Sequence, residues 1–144
     1  MLQDTIADEQ EARLSARATS SCFACGPDNP RGLRLQFVAN EQGEMLADWT
    51  PDVSVEGFKG IVHGGLVSTV LDEAMAKVVA AAGAEALTAE LRVRFRRYVP
   101  SGAATRIRGW IEDRGKRIIK TEAVLTDEAG AELAHAWGIF LQLK

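Results

Sequence analysis

The sequence predicts an α+β domain, one antiparallel sheet of five to six strands wrapped around one long central helix. Three observations carry this. Two strand segments precede the helical stretch and four follow it, the clearest of them alternating apolar and polar residues. Only one stretch, from Gly64 to about Ala82, has strong helical spacing. The later strands are joined by short turns, which favour antiparallel neighbours. A sandwich needs no such helix, and a doubly wound sheet needs several.

Taken in order, residues 1–20 read as a charged leader with a weak helical period, and residues 21–144 as the domain itself. Cys22 to Gly32 is dense in turn-formers, with Gly26, Pro27, Asp28, Asn29, Pro30 and Gly32. In Leu33 to Phe37, Leu33, Leu35 and Phe37 share one face, which predicts a half-buried strand. Met45 to Thr50 reads as its partner across a turn at Asn40 to Gly43. Pro51 to Val62 is irregular. The helix follows, with Val67, Val70, Leu71, Ala74, Val78 and Ala82 as its buried stripe and Gly83 as its stop. Leu91, Val93 and Phe95 then alternate with Arg92, Arg94 and Arg96. Ile107 and Ile111 mark a strand before the turn at Arg114 and Gly115, and Ile118 to Thr126 another before the turn at Asp127 to Gly130. In the last strand Leu133, His135, Trp137, Ile139, Leu141 and Leu143 share a face. His135 reads there as a satisfied core histidine, and Trp49, Trp110 and Trp137 as packing.

At 144 residues the chain has the length of one domain. Its net charge of −3 argues against a nucleic-acid partner, and 47% apolar residues argue against disorder. No apolar run approaches a membrane span. The leader has no apolar core of a secretory signal. With two cysteines only, Cys22 and Cys25 are expected as free thiols in a reducing, cytoplasmic compartment. Two sulfurs are too few for a zinc site by themselves, and His63 and His135 lack suitable spacing.

The segment that carries chemistry is Gly60 to Met75. His63-Gly64-Gly65 opens the helix, where free N–H groups and partial positive charge attract a polarised carbonyl oxygen. Paired glycines let a ligand approach the backbone. Asp72 lies beside the apolar stripe, on the same side as Gly65 and Ser68, with no cation one turn on. Glu73 has Lys77 at that position, so an ion pair accounts for it. Gly65 and Asp72 are ~10 Å apart along the helix, too far for one carbonyl to touch both. If both serve one reaction, two helices must lie antiparallel, and the protein must be a homodimer.

The chain resembles the hotdog-fold thioesterases of the phenylacetic-acid-degradation, or PaaI-like, branch of the 4-hydroxybenzoyl-CoA thioesterase superfamily. The match rests on His63-Gly64-Gly65 with Asp72 seven residues later. It is supported by Cys22-x-x-Cys25-Gly26-x-x-Asn29-Pro30-x-Gly32-Leu33 and by Thr88 to Phe95. The resemblance implies a hotdog fold, a dimer often assembled into a tetramer, and hydrolysis of acyl-CoA; one carboxylate and one oxyanion-type donor suffice for a thioester, so neither metal nor cofactor is expected. It implies that the N–H of Gly65, with Gly64, polarises the thioester, that Asp72 of the facing subunit is base or nucleophile, and that His63 orients the loop or thioester. Thr88 stands where some members hold the attacking water. Some members carry Asn six residues before the His; here that residue is Gly57, and Phe58 and Gly60 are expected to shape the acyl pocket. Arg92 and Arg94, with neighbouring Arg96, Arg97, Arg114, Lys116 and Arg117, are candidates for the coenzyme A phosphates. Two other readings share these residues: an acyl-thioester hydratase or dehydratase, and a non-catalytic acyl-CoA-binding module.

Overall fold

The computed structural model describes residues 20–143; the leader expected over 1–20 lies outside the described residues except for Ser20. The elements are β1 (Val38–Ala39), β2 (Met45–Trp49), a short 3-10 turn (Val53–Val55), α1 (Gly64–Ala81), β3 (Ala86–Phe95), β4 (Thr105–Arg114), β5 (Ile118–Asp127) and β6 (Glu132–Gln142). All six strands form one antiparallel sheet in the order β1-β2-β4-β5-β6-β3. One long helix against one such sheet is the architecture expected. Among the described residues, no helix is long and apolar enough to cross a membrane.

Helix α1 buries Val67, Val70, Leu71, Ala74, Met75, Val78 and Val79 against the sheet. It ends where Gly83 takes φ +85° and its N–H returns to the Ala80 carbonyl. The approach to the sheet is very close. A Cβ on Gly109 of β4 would lie 2.8 Å from the Ala74 carbonyl oxygen, and one on Gly138 of β6 2.9 Å from Met75 Sδ. Glycine in a strand interior weakens the strand, and here it makes room for the helix.

Two expectations are corrected. Leu33 to Phe37 does not join the sheet; only Val38 and Ala39 pair with β2. Arg34 sits at φ +52°, which interrupts the extended chain, and the N–H groups of Leu33 and Leu35 donate to the Phe23 and Ala24 carbonyls. The apolar face survives, with Leu35 buried. In β6 the face toward the helix carries Ala134, Ala136, Gly138 and Phe140, because only small residues fit beneath α1 over most of its length. His135 is therefore not in the core. It lies half-buried on the outer face, with Nδ1 3.0 Å from Glu132 and Nε2 2.9 Å from Glu122, stacked on Trp137 and edge-on to Trp110.

Strand β3 is an edge, and it carries a bulge. Thr88 pairs with Phe140 and Glu90 with the adjacent Ile139, so Ala89 is an extra residue. Directly opposed residues share a face. Thr88 therefore stands on the helix side with Leu91, Val93 and Phe95, while Arg92 and Arg94 stand outside with Trp137 and His135.

Replacing Gly109 by Ala should cost about 1–3 kcal/mol, because the methyl meets helix backbone that cannot rotate away. Urea denaturation of Gly109→Ala against the parent measures it. Gly102→Ala, where open space surrounds the new carbon but φ is +84°, serves as the contrast in which only backbone strain operates.

Candidate active site

The N-terminus of α1 is capped by its own histidine. His63 is the N-cap, and its Nδ1 accepts the Gly65 N–H at 2.9 Å. The N–H groups of Leu66 and Val67 go to the His63 carbonyl. The Gly64 N–H has no acceptor among the described residues. Gly57 supports the arrangement: a Cβ there would lie 3.3 Å from both Cα and Cδ2 of His63. The small residue at this position thus makes room for the capping imidazole.

Asp72 emerges two turns along, half-buried at the flank facing β3. Its Oδ1 accepts from Thr88 Oγ1 at 2.7 Å. Burial pushes the Asp72 carboxyl above its ordinary range, and the Thr88 hydroxyl, which favours the ionised form, pulls it partly back. The structure therefore brings Asp72 and Thr88 together within one protomer, and His63 with Gly65. It does not bring the two pairs together: they lie at opposite ends of the first two turns of α1.

A cleft of about 340 Å³ opens beside the helix start, lined by Phe58, Gly64, Val67, Phe95, Arg97 and Tyr98 among others. Phe58 is 84% exposed and Phe95 53%. Gly60 is not in the cleft wall; it turns the preceding loop at φ +79° and its carbonyl accepts the Ser101 N–H. Ser68 faces its own helix, donating to the Gly64 carbonyl at 3.0 Å. Arg92 lies over the Trp137 ring, 4.3 Å from its centroid, on the outer face, and Arg94 is on that face too. Arg96 pairs with Glu132. Elsewhere, Cys22 and Cys25 are free thiols beside Glu73, and burial foremost, with the Glu73 carboxylate, pushes the Cys25 thiol up to about 12.

Residues 59–134 match the family model of the thioesterase superfamily. The chain belongs to the thioesterase superfamily. It is 25% identical over 145 residues to the mouse acyl-coenzyme A thioesterase THEM5, covering 98% of this chain and 55% of the relative. It thus spans about half the length of that curated relative. The PaaI protein of the Escherichia coli phenylacetic acid degradation operon superposes with a TM-score of 0.75 at 14% identity, covering 96% of this chain and 94% of that one. A hypothetical thioesterase of Streptococcus pneumoniae, solved with coenzyme A, superposes with a TM-score of 0.71 at 17% identity, covering 75% and 84%. Structures also exist of its alanine variants at an aspartate and at the threonine sixteen positions later, the separation of Asp72 and Thr88. These likenesses establish the hotdog architecture.

Sequence reasoning passed over Phe95 and Tyr98 as cleft residues and named Arg97 only for the coenzyme A phosphates. Phe95 carried a signal, since it is a large apolar residue on a strand whose outer positions are arginines.

Two stability outcomes follow. His63→Ala removes the acceptor for the Gly65 N–H and should cost about 0.5–2 kcal/mol in urea denaturation. Asp72→Asn should raise the thermal midpoint at neutral pH. The raised carboxyl of the native state means that its ionised form opposes folding above that pKa. The opposition fades as pH falls through the native pKa and is gone below the unfolded one. The advantage of Asp72→Asn should shrink over that window in calorimetry at stepped pH.

Proposed function

We propose that this protein is an acyl-CoA thioesterase working as a homodimer, with Asp72 of one subunit acting on a thioester held at the helix start of the other. The observation that carries this is the placement of the two half-sites along β3. Near one end, Thr88 bonds Asp72; at the other, Phe95 lies against Gly64, with ring carbons 3.5 Å from where a Gly64 Cβ would stand. Among the described residues β3 is an edge whose ladder groups lack a strand neighbour on one side, and it exposes Leu91 and Phe95 on its helix-facing surface. Antiparallel pairing of two β3 edges about a two-fold axis at Arg92 sets Leu91 opposite Val93 of the second copy and, with Ala89 bulged out, Thr88 opposite its Phe95. The same operation sets Asp72 beside the helix start of that copy, and it generates two such sites.

In this reading the thioester oxygen replaces His63 Nδ1 on the Gly65 N–H, and the Gly64 N–H is the second donor. Asp72 accepts a proton as water adds to the carbonyl. The tetrahedral oxyanion collapses, the carbon–sulfur bond breaks, and the departing sulfur recovers the proton as coenzyme A thiol. Thr88 holds Asp72 in place and favours its ionised form. The acyl group enters the aromatic cleft, and Arg97, on its wall, is better placed for a phosphate than Arg92, which is committed to Trp137. The aspartate and threonine studied in the pneumococcal protein, and the coenzyme A bound there, support the reading.

The test is release of free thiol from a panel of short, medium and aryl acyl-CoAs. Asp72→Asn should lose ~10²–10⁴-fold in kcat. Tight binding without turnover in the parent would sink the enzymatic reading, and turnover without thiol release would turn it toward a hydratase. The shared site has its own test: Asp72→Asn and Gly65→Val, each inactive alone, should on subunit exchange regain about a quarter of parental activity, one intact site per heterodimer. No recovery in exchanged dimers places both groups in one protomer.

Thr88→Val should raise the Asp72 pKa further, since it removes the one bond that favours the ionised form. The acidic limb of the kcat/KM profile should move to higher pH. An unmoved limb would detach Thr88 from the reacting carboxylate.

A further inference from the structure

We propose that Cys22, Cys25 and Glu73 form a binding site for a thiophilic divalent cation of the zinc type, which fastens the segment before β1 to helix α1. Their three donor atoms all lie within 4.8 Å of one another, and each residue is partly buried. Cys22 Sγ is 4.0 and 3.9 Å from the two Glu73 oxygens. A tetrahedral zinc centre, with metal–sulfur bonds of ~2.3 Å and metal–oxygen bonds of ~2.1 Å, holds its donors roughly 3.5–3.8 Å apart. Closing the cluster onto a cation therefore takes only small side-chain movements.

The backbone is already shaped for this. The Gly26 N–H donates to the Cys22 carbonyl at 2.8 Å, closing a tight turn over Cys22 to Gly26. A Cβ on Gly26 would lie 2.3 Å from the Cys22 nitrogen and 2.5 Å from the Ser20 carbonyl oxygen, so only glycine permits the turn. Asn29 Nδ2 ties it to the Ser21 carbonyl at 3.1 Å. The turn brings both sulfurs to the side that faces α1.

Charge also balances. Two thiolates and a carboxylate carry three negative charges, a divalent cation offsets two, and Lys77 supplies the third, its Nζ 3.9 Å from Glu73 Oε1. An ion pair that long is a weak reason for Glu73 to point at two sulfurs. Each thiol gives its proton to solvent as its metal–sulfur bond forms, and water fills the fourth position. Thiolate donors select zinc-like cations over magnesium or calcium. The chemistry proposed for Asp72 uses none of these groups. The consequence of binding is mechanical: the turn whose Phe23 and Ala24 carbonyls hold Leu33 and Leu35 becomes tied to the helix that bears Asp72.

The experiment is titration of the reduced full-length protein with Co²⁺. One equivalent should bind, with thiolate-to-cobalt charge-transfer absorption and the visible bands of tetrahedral geometry, and Zn²⁺ should displace it. Zn²⁺ should also raise the thermal midpoint of the parent and leave that of Cys22→Ser unmoved. Glu73→Gln should weaken cobalt binding at least ~10-fold while the circular dichroism stays that of the parent. A reduced parent that shows no charge-transfer band overturns the proposal, including one whose cysteines had been isolated as a disulfide. Unaltered affinity in Glu73→Gln overturns it as well.

Discussion

Helix α1 rests on the backbone of β4 and β6, with no side chain from Gly109 or Gly138 between them. That contact fixes the rotation of the helix. With Ala74 and Met75 pressed on the sheet and Val70, Leu71 and Val78 filling the space alongside, Asp72 has to leave at the flank toward β3. There it loses enough water to be raised in pKa and keeps enough access to meet a ligand. Had the helix stood a side chain's width further off, the same residue would have been an ordinary surface carboxylate.

The chemistry follows from opposing effects on that group. Burial disfavours the ionised form of Asp72. The Thr88 hydroxyl favours the ionised form, and the bulge at Ala89 is what puts Thr88 within reach. At the other end of the same helical stretch, His63 keeps the Gly65 N–H occupied while no ligand is there. An imidazole that caps the helix is an acceptor a carbonyl oxygen can replace, so the donor stays oriented and the exchange costs little net hydrogen bonding.

What was legible in the chain was whatever repeats locally. The helix reads as Gly64 to about Ala82 and is observed as Gly64–Ala81, because its apolar spacing and Gly83 are consecutive signals. The turns at Asn40 to Gly43 and Asp127 to Gly130 were equally visible. Side assignments were not. Alternation in β6 says that two faces differ, and the larger residues looked like the inner one; a helix lying at backbone distance selects the alanines instead. A single bulge inverts the reading of β3, so that alternation would have placed Thr88 beside Arg92, and only the family resemblance pointed to it. Glu73 was hidden for a different reason. Lys77 one turn on was a sufficient local partner, and the sulfurs that it meets are about fifty residues away in the chain.

A rigid helix cannot bend its positive end back to a carboxylate two turns along, whatever its sequence. A chain with one such helix has two ways to unite those groups: another segment that carries a second acid, or a second copy. The edge position of β3 favours the copy. Among the described strands it is the one that touches both half-sites, and it is apolar on one face and arginine-rich on the other. The two-fold pairing proposed there would consume the open edge, cover Leu91 and Phe95, and complete two clefts with no residue beyond those that one protomer already has. Under the proposed pairing the stability of the assembly and the completeness of the site would become linked, since the edge that exposes Leu91 and Phe95 is the one along which the two halves would meet.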